Sequence, residues 1–362
     1  MNGHRHRGRL NGAAMAVAVV VAAGLSVAAS ADTAVESLPR LAVDPAGITV
    51  SGISSGGYMA THVHVAHSAT VAGAAVIAAG PYHCAGDGYP RNLYRALNVC
   101  MNVEDWIPFL GPPELPRLVA ETRRQAAAGA IDDPANLVDD RVFLFSGTFD
   151  RLVPTAVVAT VGDYYETWLP PESVVTVNSV PAGHAMATDG FGNVCTSSEH
   201  PWVNDCGYDT AGELLAHLYP PLADPVEPDG TLLAFDQTEF AEDVAAISLN
   251  AVGFAYIPTV CAEGATCRLH VAFHGCRQHH DAIGDAFYRG AGYNRWAEAN
   301  AIIVLYPQTA PLERSLLGIS LMWPNPRACW DWWGFTGPDV HLKSGAQIRA
   351  VKAMIDRVAG VD

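Results

Sequence analysis

The chain has 362 residues, 50% hydrophobic and only 16% charged, with 21 lysines and arginines against 37 acidic residues. That composition excludes a disordered chain, and the negative balance argues against nucleic acid or an anionic membrane as a partner. The length accommodates one large α/β domain or two small ones.

Residues 1–31 place Arg5, Arg7 and Arg9 ahead of an apolar run from Ala13 to Ala29, closed by Ala29-Ser30-Ala31. Basic head, apolar body and small-residue cleavage site are the pattern of a secretory signal peptide. The mature chain is then expected to be residues 32–362, folded as one catalytic domain and secreted, either extracellular or periplasmic. Without those three arginines it carries 18 basic against 37 acidic residues, which suits a neutral substrate. No other stretch is apolar for long enough to span a bilayer.

Asp32 to Pro45 reads as a polar lead-in and Ile48 to Ser51 as a β-branched strand. Gly52-Ile53-Ser54-Ser55-Gly56 follows, and Gly57 to Ser68 is helix-compatible. A G-x-S-x-G pentapeptide between strand and helix is the sequence form of a nucleophile elbow, in which side chains at the glycine positions would crowd the turn. Val71 to Ala79 is a continuous apolar run, as expected of a parallel strand covered on both faces. Pro81 to Pro116, with Trp106 and Phe109, reads as a loop-rich rim or lid. Leu115 to Ala128 reads as a helix.

The alternation then becomes regular. Val142 to Ser146, Val174 to Val180, Leu232 to Phe235, Gly253 to Ile257, Leu269 to Phe273 and Ile302 to Tyr306 read as strands. Thr155 to Thr167, Asp209 to Leu218, Tyr293 to Ala299 and Ser344 to Val358 read as helices. Such alternation predicts a doubly wound, mainly parallel α/β sheet, with ligands gathering past the C-terminal ends of its strands. Asp150 follows Val142 to Ser146 there, and His184 follows Val174 to Val180. The chain order Ser54, Asp150, His184 is that of α/β-hydrolases. In that reading Ser54 attacks an acyl carbonyl, His184 moves its proton and Asp150 orients the imidazole.

An oxyanion hole needs two backbone N–H groups. Ser55 is one candidate. The other is Cys276, in His274-Gly275-Cys276-Arg277-Gln278 after the strand Leu269 to Phe273. That loop lies far downstream of the serine, so the expected fold is a circularly permuted α/β-hydrolase whose usual N-terminal strands have moved to the C-terminal third. Eight cysteines in an exported chain argue for disulfides. Proximity suggests Cys84–Cys100, Cys195–Cys206 and Cys261–Cys267, which leaves Cys276–Cys329 to pin the oxyanion loop. No His/Cys cluster has zinc spacing, so neither metal nor other cofactor is expected. Between Trp323 and Trp333, a Pro-containing loop holds four of the eight tryptophans. They read equally as core or as the wall of a substrate cleft.

Six segments together resemble the secreted, single-domain, circularly permuted poly(3-hydroxybutyrate) depolymerases. They are SGISSGGYMA (51–60), GTFDRLVP (147–154), PAGHAMAT (181–188), LLAFDQTEF (232–240), HGCRQ (274–278) and CWDWWGFTG (329–337). The resemblance implies hydrolysis of polyhydroxybutyrate or its oligomers by Ser54, Asp150 and His184, with Ser55 and Cys276 as oxyanion donors. It also implies substrate contacts from the tryptophans near Cys329, so Tyr58, Trp323, Trp330, Trp332 and Trp333 form the expected substrate-binding set. A monomer acting on polyester, with no nucleic-acid or membrane partner, is expected. A feruloyl or acetylxylan-type carbohydrate esterase, which shares the triad plan, is the alternative. Neither a linker nor a separate polymer-binding domain is evident.

Overall fold

Mostly apolar runs at 48–53, 73–77 and 142–145 form neighbouring parallel strands, because each run is buried on both faces and can cover two helical layers. The computed structural model describes residues 35–86, 88, 91–103, 109–316 and 319–361, without the side chains of 313–324. The expected signal peptide, Trp106 and the Trp323 side chain lie outside the described residues.

In chain order the first elements are β1 (Val35–Glu36), β2 (Val43–Ile53), α1 (Ser55–Ala66), β3 (Gly73–Ile77), α2 (Arg91–Asn98) and α3 (Leu115–Ala127). Then come β4 (Arg141–Phe145), α4 (Thr155–Tyr165), β5 (Val174–Val177), β6 (Met186–Thr188), β7 (Asn193–Val194), β8 (Val203–Asp205) and α5 (Thr210–Leu218). The last third holds β9 (Thr231–Asp236), β10 (Val252–Ile257), α6 (Thr259–Ala262), β11 (Cys267–Phe273), α7 (His280–Ile283) and α8 (Tyr293–Asn300). It ends in β12 (Ile302–Tyr306), β13 (Leu312–Leu316), β14 (Ile319–Asn325) and α9 (Ala346–Ala359).

Nine strands form one sheet in the order β1-β9-β10-β12-β11-β2-β3-β4-β5, and only β10 runs against the rest. Strand alternation splits the core in two. Val50, Val76, Val142 and Leu144 face α1, α4 and α9. Ile77, Phe143 and Phe145 face α5 and α8. The C-terminal strands β9 to β12 thus complete one half of a sheet whose other half, β2 to β5, comes earlier in the chain. This is a permuted α/β-hydrolase arrangement.

Three readings need correction. The lead-in before Pro45 contributes β1, paired with β9, and β2 already begins at Val43. The Pro81–Pro116 stretch contains α2, whose polar composition hid it among prolines and glycines. Trp323 stands in strand β14, not in a loop, since β13 and β14 pair as a hairpin. A small sheet, β6-β8-β7, built of two- and three-residue strands, follows the predicted histidine loop.

Candidate active site

Ser54 caps the junction of β2 and α1 with φ 55° and ψ −123°, a region that costs a non-glycine residue roughly 1–3 kcal/mol. Two backbone bonds hold it there: Ser54 N–H donates to Ile77 O at 2.9 Å, and Tyr58 N–H donates to Ser54 O at 3.1 Å. The flanking glycines are sterically required. A Cβ on Gly52 would stand 2.2 Å from Gly56 O, and one on Gly56 would stand 2.3 Å from Phe273 O. Ser54 is 7% exposed.

The loops after β4 and β5 interlock. Thr148 N–H donates to Val180 O and Phe149 N–H to Ala182 O, at 2.9 and 3.0 Å. Only glycine fits at Gly147, where a Cβ would meet Ala182 O at 2.1 Å. This lock sets Asp150 Oδ2 2.8 Å from His184 Nδ1. Asp150 Oδ1 accepts from Leu152 and Val153 N–H, both at 2.9 Å, so the carboxylate cannot swing away. Nδ1 of His184 is therefore the donor to Asp150, leaving Nε2 as the nitrogen able to take a proton. Among the described residues no hydrogen bond joins the Ser54 hydroxyl to His184; such contacts tighten when a substrate binds.

The HGCRQ loop leaves β11 beside β2, and a Cβ on Gly275 would stand 3.3 Å from Ser54 Cβ. Gln278 braces it: its Oε1 accepts from Gly275 N–H at 2.7 Å, and its Nε2 donates to Trp202 O at 2.9 Å. His274 is buried, which pushes its pKa down to about 3. The neutral ring donates from Nδ1 to Gly275 O at 2.7 Å and accepts at Nε2 from Thr309 N–H at 3.2 Å. Ser55 N–H, in the first turn of α1, has no partner within the helix. The Cys276–Cys329 bridge ties this loop to the tryptophan segment, and Cys84–Cys100, Cys195–Cys206 and Cys261–Cys267 are the other disulfides.

A cleft of about 890 Å³ opens over His184, lined by Asn102, Val103, Phe149, Arg151, Leu152, residues 196–199 and Trp202. Ser54 is not among its lining residues. Phe149, 53% exposed, offers an apolar face, and the Arg277 guanidinium lies 5.9 Å from the Trp202 ring centre. These wall residues escape sequence reasoning. Phe149 adjoins Asp150 in the quoted motif, and Trp202 sits between two bridged cysteines, the only signals pointing to them.

Tyr58, Trp330, Trp332 and Trp333 are, like Ser54, not among the residues lining this cleft. Tyr58 and Trp330 are buried at 1% and 0% exposure, within the hydrophobic core. The Tyr58 hydroxyl donates to Cys100 O at 2.6 Å, and Trp330 packs edge-on against Phe273 at 5.0 Å. Trp332 stacks on Tyr58 with ring centres 3.8 Å apart and is likewise core. Trp333 is half-buried between Trp332 and Phe335. Asp331 organises that loop by accepting from the Gly334, Phe335 and Thr336 N–H groups.

No family model matches the chain. A poly(3-hydroxybutyrate) depolymerase of Delftia acidovorans is 40% identical over 329 residues, 89% of this chain and 62% of that protein, so the chain spans under two thirds of this relative. A polyhydroxybutyrate depolymerase of Talaromyces funiculosus is 33% identical over 91% of this chain and 94% of its own length. Two solved structures superpose with a TM-score of 0.78 at 30% identity, covering 90% of this chain and 99% of theirs. One is the PHB depolymerase from Penicillium funiculosum, and the other is a PHB depolymerase with a serine-to-alanine substitution, complexed with an R3HB trimer. With its topology, its site and its near full-length match to the fungal relative, the chain belongs to the poly(3-hydroxybutyrate) depolymerase family.

Proposed function

We propose that this protein is a secreted serine esterase that hydrolyses ester bonds of poly(3-hydroxybutyrate) or its oligomers through Ser54, His184 and Asp150. The observation that carries the reading is the Asp150–His184 pair at the cleft, set two strands from a strained, glycine-flanked serine. Ser54 Oγ attacks the ester carbonyl while His184 Nε2 takes its proton. Ser55 and Cys276 N–H groups stabilise the oxyanion, each donor contributing about 10²–10³ in rate. Collapse expels the hydroxyl end of the next monomer, which receives the proton from His184. Water, deprotonated by the same imidazole, then cleaves the acyl-serine to a free acid and restores the hydroxyl.

The substrate class is supported by the R3HB trimer held by a 30%-identical structural relative. The apolar cleft wall of Phe149 and Leu152 suits the methyl-bearing repeat of such a polyester. Residues 1–31 act as the export signal, and residues 32–362 are the mature single-domain enzyme. Four disulfides fit an oxidising compartment. The enzyme acts as a monomer at the polyester surface or on soluble oligomers. No helix of the described residues is long and apolar enough to cross a membrane. Ser54→Ala should abolish 3-hydroxybutyrate release from amorphous polymer while the unfolding midpoint stays put; retained release would falsify the nucleophile. Ferulate or acetate release from plant polysaccharide, without clearing of a polyester suspension, would shift the substrate class to carbohydrate esters.

A further inference from the structure

Away from the cleft, three elements distant in sequence bring together two imidazoles and a carboxylate. His83 follows β3, Glu121 lies on α3 and His341 precedes α9. One ligand-type atom from each lies within 4.8 Å of the other two. Glu121 Oε1 is 3.8 Å from His341 Nε2, and the rings of His83 and His341 have centres 4.3 Å apart. Both histidines are buried, and the Glu121 side chain is 11% exposed, so the group lies just beneath the surface. A third imidazole, His62 on α1, packs with its ring centre 6.3 Å from His341. His62 Nε2 accepts from the His83 N–H at 3.4 Å, so Nδ1 carries the hydrogen. That Nδ1 is buried and makes no hydrogen bond of ordinary geometry among the described residues. None of these four residues lines the catalytic cleft.

We propose that His83, Glu121 and His341 form a structural site for a borderline divalent transition metal, best matched by Zn²⁺, that ties the loop after β3 and helix α3 to the segment before α9. Two imidazoles and one carboxylate are a zinc-type donor set, with a fourth position left for water. Bond lengths of about 2.0–2.1 Å require the most separated donors to draw in by about 1 Å. The partly exposed Glu121 carboxylate, now held by Arg124 and Gln125, is the donor able to move. The metal would steady the wall that continues through the Cys84–Cys100 bridge to Asn102 and Val103 at the cleft.

The test uses the full mature protein, stripped with EDTA and titrated with ZnCl₂ by calorimetry. One Zn²⁺ per chain should bind, and a hundredfold excess over Kd should raise the unfolding midpoint by about 4 °C. Glu121→Gln and His341→Gln should each weaken binding about 100-fold or more while hydrolysis of a soluble ester stays within about twofold. Co²⁺ added to the unsubstituted protein should give the intense visible bands of a low-coordinate site, a readout that survives misfolding of a variant. Absence of zinc uptake, uptake unchanged in the folded variants, or only the spectrum of hydrated Co²⁺ would overturn the site.

Discussion

His184 Nδ1 stands 2.8 Å from Asp150 Oδ2, and His64 Nε2 stands 2.9 Å from Asp140 Oδ2. By bond geometry the two pairs are alike, yet their surroundings differ. The second nitrogen of His64 meets the Tyr165 hydroxyl at 2.8 Å, and both side chains are sealed in the core, so both ring nitrogens are occupied and out of reach of a substrate. His184 lines the cleft and meets Asp150 through Nδ1, so Nε2 is the nitrogen that the proposed reaction would use. A third histidine, His270, even touches a serine, with Nε2 2.7 Å from Ser51 Oγ, but Thr49 occupies its other nitrogen and among the described residues no carboxylate bonds to it. The pair alone therefore does not mark chemistry; an accessible free nitrogen at the sheet's C-terminal end does.

The sharpest way to break this comparison is to neutralise each aspartate. Asp150→Asn should lower kcat on a soluble ester about 10⁴-fold with little change in unfolding midpoint. Asp140→Asn should do the reverse, costing about 3 kcal/mol in urea unfolding while activity per folded molecule stays within about twofold. Equal losses of kcat from both would erase the distinction. Acid provides the next test. Burial holds His270 and His274 down to about 3, whereas in the unfolded chain they titrate at the ordinary value of about 6.5. The unfolded state therefore binds protons first, and stability is complete above about pH 6.5 and falls as pH drops towards about 3. Near pH 5 His270 alone accounts for about 2 kcal/mol of that loss, so His270→Gln should flatten the acid limb of the midpoint-against-pH curve.

Smaller effects sharpen the cleft. Gln278→Ala removes the brace between Gly275 and Trp202 and should reduce kcat about tenfold with KM nearly unchanged, read in steady-state kinetics. Phe149→Ala should raise KM for hydroxybutyrate oligomers a few-fold, about 1 kcal/mol, and leave kcat close to its original value.

The strands flanking Ser54 are legible because short runs rich in apolar and β-branched residues, the longest being Val71 to Ala79, cover both faces of a parallel sheet. The loop positions of Asp150 and His184 follow from those strand ends. Beyond that, length and local composition mislead. Strands β6 to β8 are too short for any periodicity, and α2 is too polar to stand out from the prolines around it. Tryptophans near Cys329 carry no mark that separates core from cleft. Packing decides, with Trp330 and Trp332 sinking inward while Trp202 and Phe149 take the wall. The grouping of His83, Glu121 and His341 draws on three distant parts of the chain, so no spacing rule would find it.

The permuted wiring also governs when the site can exist. Val50 in β2 pairs on one side with Ala74, close in sequence, and on the other with Val271, which is synthesised long afterwards. The strand carrying the serine thus emerges early but waits, with one edge open, for the last third of the chain. Closing so long a loop makes for slow, high-contact-order assembly. The elbow, its glycine contact to Phe273 and the HGCRQ loop consequently become complete in one late step, and a chain interrupted before Cys267 has no route to a working centre.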